Sequence, residues 1–109
     1  MADKQVVVIF RLTASVAQQR IRDIAANGNN IVWGDHALKR MDQRGIFRQD
    51  VLRILRGGYC DSEPEKTEYG EWKCKMTLKI RGSRVAAVVV VILHDDRLFP
   101  KTVQWEDVT

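Results

Sequence analysis

At 109 residues the chain has the length of one domain, residues 1–109, with room for a single buried core that needs no disulfide or metal to hold it. A hydrophobic share of 45% beside a charged share of 29% excludes a disordered or low-complexity chain. The net charge of +4 is modest, so the distribution of charge along the chain says more about partners than its sum does.

Gln5–Phe10 is rich in β-branched residues and reads as a short strand. It stops at Arg11, too early for the apolar core of a signal peptide. Val85–Leu93 is too short to cross a bilayer as a helix, so the expectation is a cytoplasmic protein with no membrane partner. A first helix is expected over about residues 14–27. Thr13 or Ser15 would cap it, Ser15 with Gln18 has capping-box spacing, and Val16, Ala17, Ile21 and Ile24 would form its apolar face. Asn27-Gly28 would end it through a left-handed residue.

Asn29–Trp33 reads as extended, and Asp35 is placed to cap a second helix that stops at Gly45. A third helix buries Val51, Leu52, Ile54 and Leu55 and ends at Gly57-Gly58. It begins poorly, because Phe47 stands where a hydroxyl residue would accept an orphan amide. Beyond Tyr59 the period changes. Trp72, Cys74, Met76, Leu78 and Ile80 alternate with Lys73, Lys75, Thr77 and Lys79, the mark of a half-buried strand with a lysine face.

Arg81-Gly82-Ser83 turns the chain into Val85–Leu93, whose lack of polar side chains predicts a central strand covered on both faces. After the His94-Asp95-Asp96 turn, a last strand following Pro100 sets Thr102 and Gln104 on one face and Val103 and Trp105 on the other. The sum is an α+β fold: an N-terminal strand and two or three helices, then an antiparallel meander of three or four strands.

Cys60 and Cys74 have no second pair or clustered histidines at ligand spacing, so neither a metal nor a cofactor is expected. A hairpin turning near Thr67 would set the two thiols facing each other. Charge is uneven. Between His36 and Arg56 six basic residues stand against two acidic ones, whereas Asp61–Glu71 carries five carboxylates and one lysine. A basic helical side and an acidic loop follow.

The run from His36 to Ile46 concentrates the chemistry. On a helix Ala37, Leu38 and Met41 share an apolar face, His36, Arg40 and Gln43 line the opposite one, and Arg44 falls at the border. The run His36-Ala37-x-x-Arg40-Met41-x-x-Arg44-Gly45-Ile46, followed by Asp50-Val51, Gly57 and a closing Thr102-Val103, resembles the bacterial domain of unknown function 4258 family over roughly residues 31–105. That resemblance implies a fold more than an activity. The order of elements is also similar to the RelE-like toxins, small ribonucleases of toxin–antitoxin systems, and to barnase- and colicin-like nucleases. It implies RNA as a substrate and a cognate antitoxin as a partner, although fold analogy does not fix function.

Metal-independent RNA cleavage needs a base, an acid and cations around the phosphorane. His36 is the candidate acid or base, with Arg40 and Arg44 as the phosphate clamp. Lys73 and Lys75 are candidate substrate cations, and Thr102 and Trp105 candidate positioning residues on opposite faces of their strand. Each has a plainer reading: His36 as a helix-start hydrogen-bonding residue, Arg44 as an ion-pair or packing residue, the lysines as a solvated strand face that discourages aggregation. Two functions therefore stand open. One is a metal-independent ribonuclease of toxin type, and the other a non-catalytic module that binds nucleic acid or an acidic protein with the same basic face.

Overall fold

The computed structural model describes residues 11–106. The strand expected at Gln5–Phe10 lies outside them. Within them the order is α1 (Ala14–Ala25), a 3-10 turn (Gly28–Asn30), α2 (Asp35–Arg44), α3 (Arg48–Gly57), β1 (Tyr59–Cys60), β2 (Glu65–Lys66), β3 (Trp72–Arg81), β4 (Arg84–Ile92) and β5 (Leu98–Trp105). The fold is α+β, with three helices and a five-stranded antiparallel sheet among the described residues.

Helix α1 buries Ala17, Ile21 and Ala25, a stripe spaced by whole turns. Thr13 caps it, its Oγ1 accepting from Val16 N at 3.3 Å. The expected Ser15–Gln18 box is therefore not formed. Gln18 instead accepts the Cys60 amide at 2.9 Å and ties α1 to β1. The end of α1 also differs from expectation. Asn27 is extended at φ −102° and starts the 3-10 turn. The last α1 carbonyls go to side chains: Asn30 Nδ2 donates to Ile24 O at 3.0 Å, and Arg56 Nε to Ala25 O at 2.7 Å.

Gly34, not Asp35, is the N-cap of α2, because the first helical hydrogen bond runs from Leu38 N to Gly34 O at 3.1 Å. Asp35 moves into the first turn, still at the positive end of the helix. Gly45 ends the helix as expected, in the left-handed region at φ 67°, and Ile46 N closes back onto Met41 O at 3.0 Å. The missing hydroxyl at Phe47 is offset from the other direction. Asp50, 8% exposed, accepts the Phe47 amide at 2.8 Å.

The sheet runs β1–β3–β4–β5, and β2 also pairs with β3. Cys74, Met76 and Leu78 lie opposite Val90, Val88 and Ala86, and the last two lie opposite Val103 and Trp105. This row packs with Ile21, Ile54, Leu55 and Met41 in the core. Lys73, Lys75, Thr77 and Lys79, across from Val91, Val89, Ala87 and Val85, occupy the other face with Thr102 and Gln104. The expected alternation is thus present, and β4 is central.

Its expected coverage on both faces takes a different form. Among the described residues only one face of β4 joins the helical core. Ala87 and Val91 on the other are buried beside the half-buried Lys73, Lys75 and Thr102. Cys60 lies opposite Met76 rather than Cys74. The two thiols are free and buried, and that of Cys60 donates to Ser62 O at 3.3 Å.

Candidate nucleic-acid interface

Helix α2 lies along β5, the edge strand of the sheet among the described residues, and buries Ala37 and Met41. That orientation turns His36, Lys39 and Arg40 to solvent. Arg40 Nη1 donates to Gln43 Oε1 at 3.2 Å on its own helix, and His36 has no hydrogen-bond or ionic partner among the described residues. The two sit one turn apart with their donors open to solvent.

Arg44 behaves differently. Its Nη1 donates to Val103 O at 2.7 Å, and its own carbonyl accepts Trp105 Nε1–H at 2.8 Å. This reciprocal pair pins the end of α2 to the end of β5. At a rise of about 1.5 Å per residue, Arg44 lies about 12 Å along the helix from His36. The motif is therefore two half-sites rather than one.

The strand residues divide likewise. Lys73, Lys75 and Thr102 share the sheet face away from the helices. Lys73 Nζ lies 3.5 Å from Glu65, and Lys75 pairs with Glu106. The Lys75 ammonium, first among its neighbours, holds the Glu106 carboxyl below the usual carboxylate range, with Gln104 adding a hydrogen bond and partial burial opposing them. Glu106 is thus firmly ionised at neutral pH. Trp105 points to the opposite, helical side, as the alternation of the strand requires.

Around Trp105 the fold gathers residues that the sequence did not single out. Gly82-Ser83 turns β3 into β4 and returns Arg81 and Arg84 to the end of the molecule where α2 passes into α3. The Arg84 guanidinium sits 3.9 Å from the centre of the Trp105 ring, and that of Arg81 at 5.6 Å from it and 5.1 Å from the ring of Phe47. Arg81 also donates to Gly45 O at 2.7 Å and to Asp50 at 2.5 Å. Phe47 is 64% exposed. A cavity of about 470 Å³ opens beside the indole, lined by Arg44, Gln104, Trp105 and Glu106.

A sequence signal for this cluster existed in the two arginines flanking a two-residue turn. Only the pairing of Ala86 with Trp105 brings them to the indole. Among the described residues no group of three or more His, Cys, Asp or Glu comes together as a metal site, and no helix is long and apolar enough to cross a membrane.

The defining pattern of a family of domains of unknown function, DUF4258, matches residues 33–104. This chain belongs to that family. No curated protein and no solved structure matches the chain. In this DUF4258 chain the matched region runs from Trp33 to Gln104, so it takes in α2, α3, the meander and most of β5 and leaves α1 outside. The run from His36 to Ile46 lies within the matched region.

Proposed function

We propose that the chain binds RNA through the exposed face of α2, with His36 and Arg40 contacting phosphate, and that it does so without cleaving the strand. One observation carries this reading. Arg22, Arg44, Arg53, Arg56 and Arg81 each donate to a main-chain carbonyl and hold segments together, whereas Arg40 reaches only its own helix and His36 reaches nothing among the described residues. An uncommitted guanidinium one turn from an imidazole suits a phosphodiester oxygen. The basic balance of His36–Arg56 supports a polyanionic partner. The likeness in element order to the RelE-like toxins favours RNA among such partners.

Cleavage would need a second proton-transfer group beside His36 and cations closing on the same phosphate. Arg44 is about 12 Å along the helix and held by Val103. Lys73 and Lys75 are on the far face of the sheet and paired with carboxylates. This distribution supports binding over catalysis.

The test is labelled single-stranded RNA with wild-type, His36→Ala and Arg40→Ala protein, scored for both retention and cleavage. Salt-dependent retention that weakens in both variants, without cleavage, is the expected result. Cleavage abolished by His36→Ala, together with growth arrest on expression that a cognate antitoxin relieves, would establish the toxin-type ribonuclease instead. Retention insensitive to salt would remove phosphate contacts altogether.

A further inference from the structure

The α2 face accounts for phosphate and reads no base. The open depression of about 470 Å³ beside Trp105 is a second feature of different chemistry. We propose that this cavity takes one unpaired guanine of a single-stranded RNA, an inference that rests on the RNA-binding reading above.

The indole is fixed before any ligand arrives. Its Nε1–H donates to Arg44 O at 2.8 Å, and the Arg84 guanidinium sits over its ring. Aromatic walls of this kind recognise bases that have left a helical stack, because every base offers a π-face. Stacking alone does not choose among bases, so the choice falls to the polar lining.

That lining holds one anionic acceptor, Glu106, beside the donors of Arg44 and Gln104. Glu106 takes a hydrogen bond from Gln104 Nε2 at 3.2 Å on one oxygen and pairs with Lys75 through the other. Each carboxylate oxygen has a further lone pair. Lys75 keeps the group ionised, so it accepts and never donates. The Watson–Crick edges of the bases answer this demand unequally. Guanine presents an N1–H and an N2 amino group side by side. Adenine and cytosine present one amino group next to an unprotonated ring nitrogen, which repels a carboxylate. Uracil presents one N–H between two carbonyl oxygens. Guanine is therefore the base that meets an ionised carboxylate with two adjacent donors.

The experiment uses the full chain and short oligouridines that carry one central guanosine, adenosine or cytidine, with affinity measured by titration calorimetry. The guanosine oligomer should bind at least about tenfold more tightly than the other two, the discrimination a good two-point base contact provides. Glu106→Gln, whose amide offers mixed donor and acceptor character, should bring the guanosine oligomer to within about twofold of the adenosine and cytidine oligomers measured with the same variant. Glu106 is at the surface, and a thermal melt checks that the variant is folded. Equal affinity for all three oligomers, with RNA still bound through Arg40, would overturn the guanine site and leave the RNA reading standing. A guanosine preference that survives Glu106→Gln would overturn the placement in this cavity. Failure to bind any oligomer would overturn both.

Discussion

The two arginines of the helical motif should separate cleanly on substitution. Arg44 donates at 2.7 Å from a half-buried guanidinium to the Val103 carbonyl. A hydrogen bond from a charged donor contributes about 1.5–3 kcal/mol, and the low end applies here because water reaches the edge-strand carbonyl once the side chain is gone. Arg44→Ala should therefore lower stability by about 1.5 kcal/mol in urea titration and Tm by about 6–10 °C. Arg40→Ala removes an exposed bond within one helix and should stay within about 0.5 kcal/mol of wild type. In RNA retention the order reverses. Each single-strand phosphate contact adds about 0.7 to the salt slope, so Arg40→Ala should flatten the slope by that amount and weaken binding about fivefold near 0.1 M salt. If Arg40→Ala lowers Tm as far as Arg44→Ala does, or if Arg44→Ala leaves Tm unchanged, the division of the motif into a structural and a contact half is wrong.

Three further outcomes follow from the packing and the titrating groups. A Cβ at Gly58 would lie 2.8 Å from Thr77 O and closer still to Ile54 O, both main-chain atoms, so Gly58→Ala should cost about 2–3 kcal/mol by urea titration. Asp50→Ala removes the acceptor of the Phe47 amide and the partner of Arg81; a loss of about 2–3 kcal/mol is expected in the same assay, with Asp50→Asn recovering part of it. Burial, with Cys60 alongside, pushes the Cys74 thiol up from 9.0 to about 12. The folded chain therefore holds this proton where the unfolded chain releases it, so the stabilising contribution is complete below pH 9 and falls as the pH rises toward 12. Stability measured between pH 8 and 10 should decline less in Cys74→Ala than in wild type, and native-state alkylation at pH 8 should be slow while denatured protein reacts at once.

How far the sequence spoke depended on whether a feature had a period. The alternation from Trp72 to Ile80 fixed which side chains of β3 face the core, and the apolar spacing of Val51, Ile54 and Leu55 did the same for α3. Gly45 marked the end of α2 through a backbone requirement that few other residues meet. Strands β1 and β2 have two residues each, too few to show any alternation, and they take their place from pairing with β3. Thr13 rather than Ser15 caps α1, and Gln18 instead serves Cys60, a contact 42 residues distant that no local spacing announces. In the helical motif, the exposure of His36 and Arg40 was legible because it follows from the helical face. The bond from Arg44 to Val103 was not, since a main-chain carbonyl accepts regardless of which residue bears it. The meeting of Arg81, Arg84 and Trp105 required the register of three strands.

The structural half of the motif also bears on how the exposed half works. Among the described residues strand β5 is a sheet edge, and an open row of main-chain groups there would invite pairing with another chain. Val32 N–H fills Leu98 O at 2.8 Å, and Arg44 fills Val103 O near the other end, so the edge is engaged at both ends by the segment that leads into α2 and by α2 itself. Arg81 adds a bond to Gly45 O, so the left-handed end of the helix is held from β3 as well as from β5. A helix restrained in this way presents His36 and Arg40 on a rigid support, and little ordering of the backbone remains for a phosphate to impose. If the α2 face binds RNA as proposed, the same bonds that blunt the sheet edge lower the entropic cost of binding at the face one helical turn and more away, and Arg44 serves His36 and Arg40 without touching their ligand.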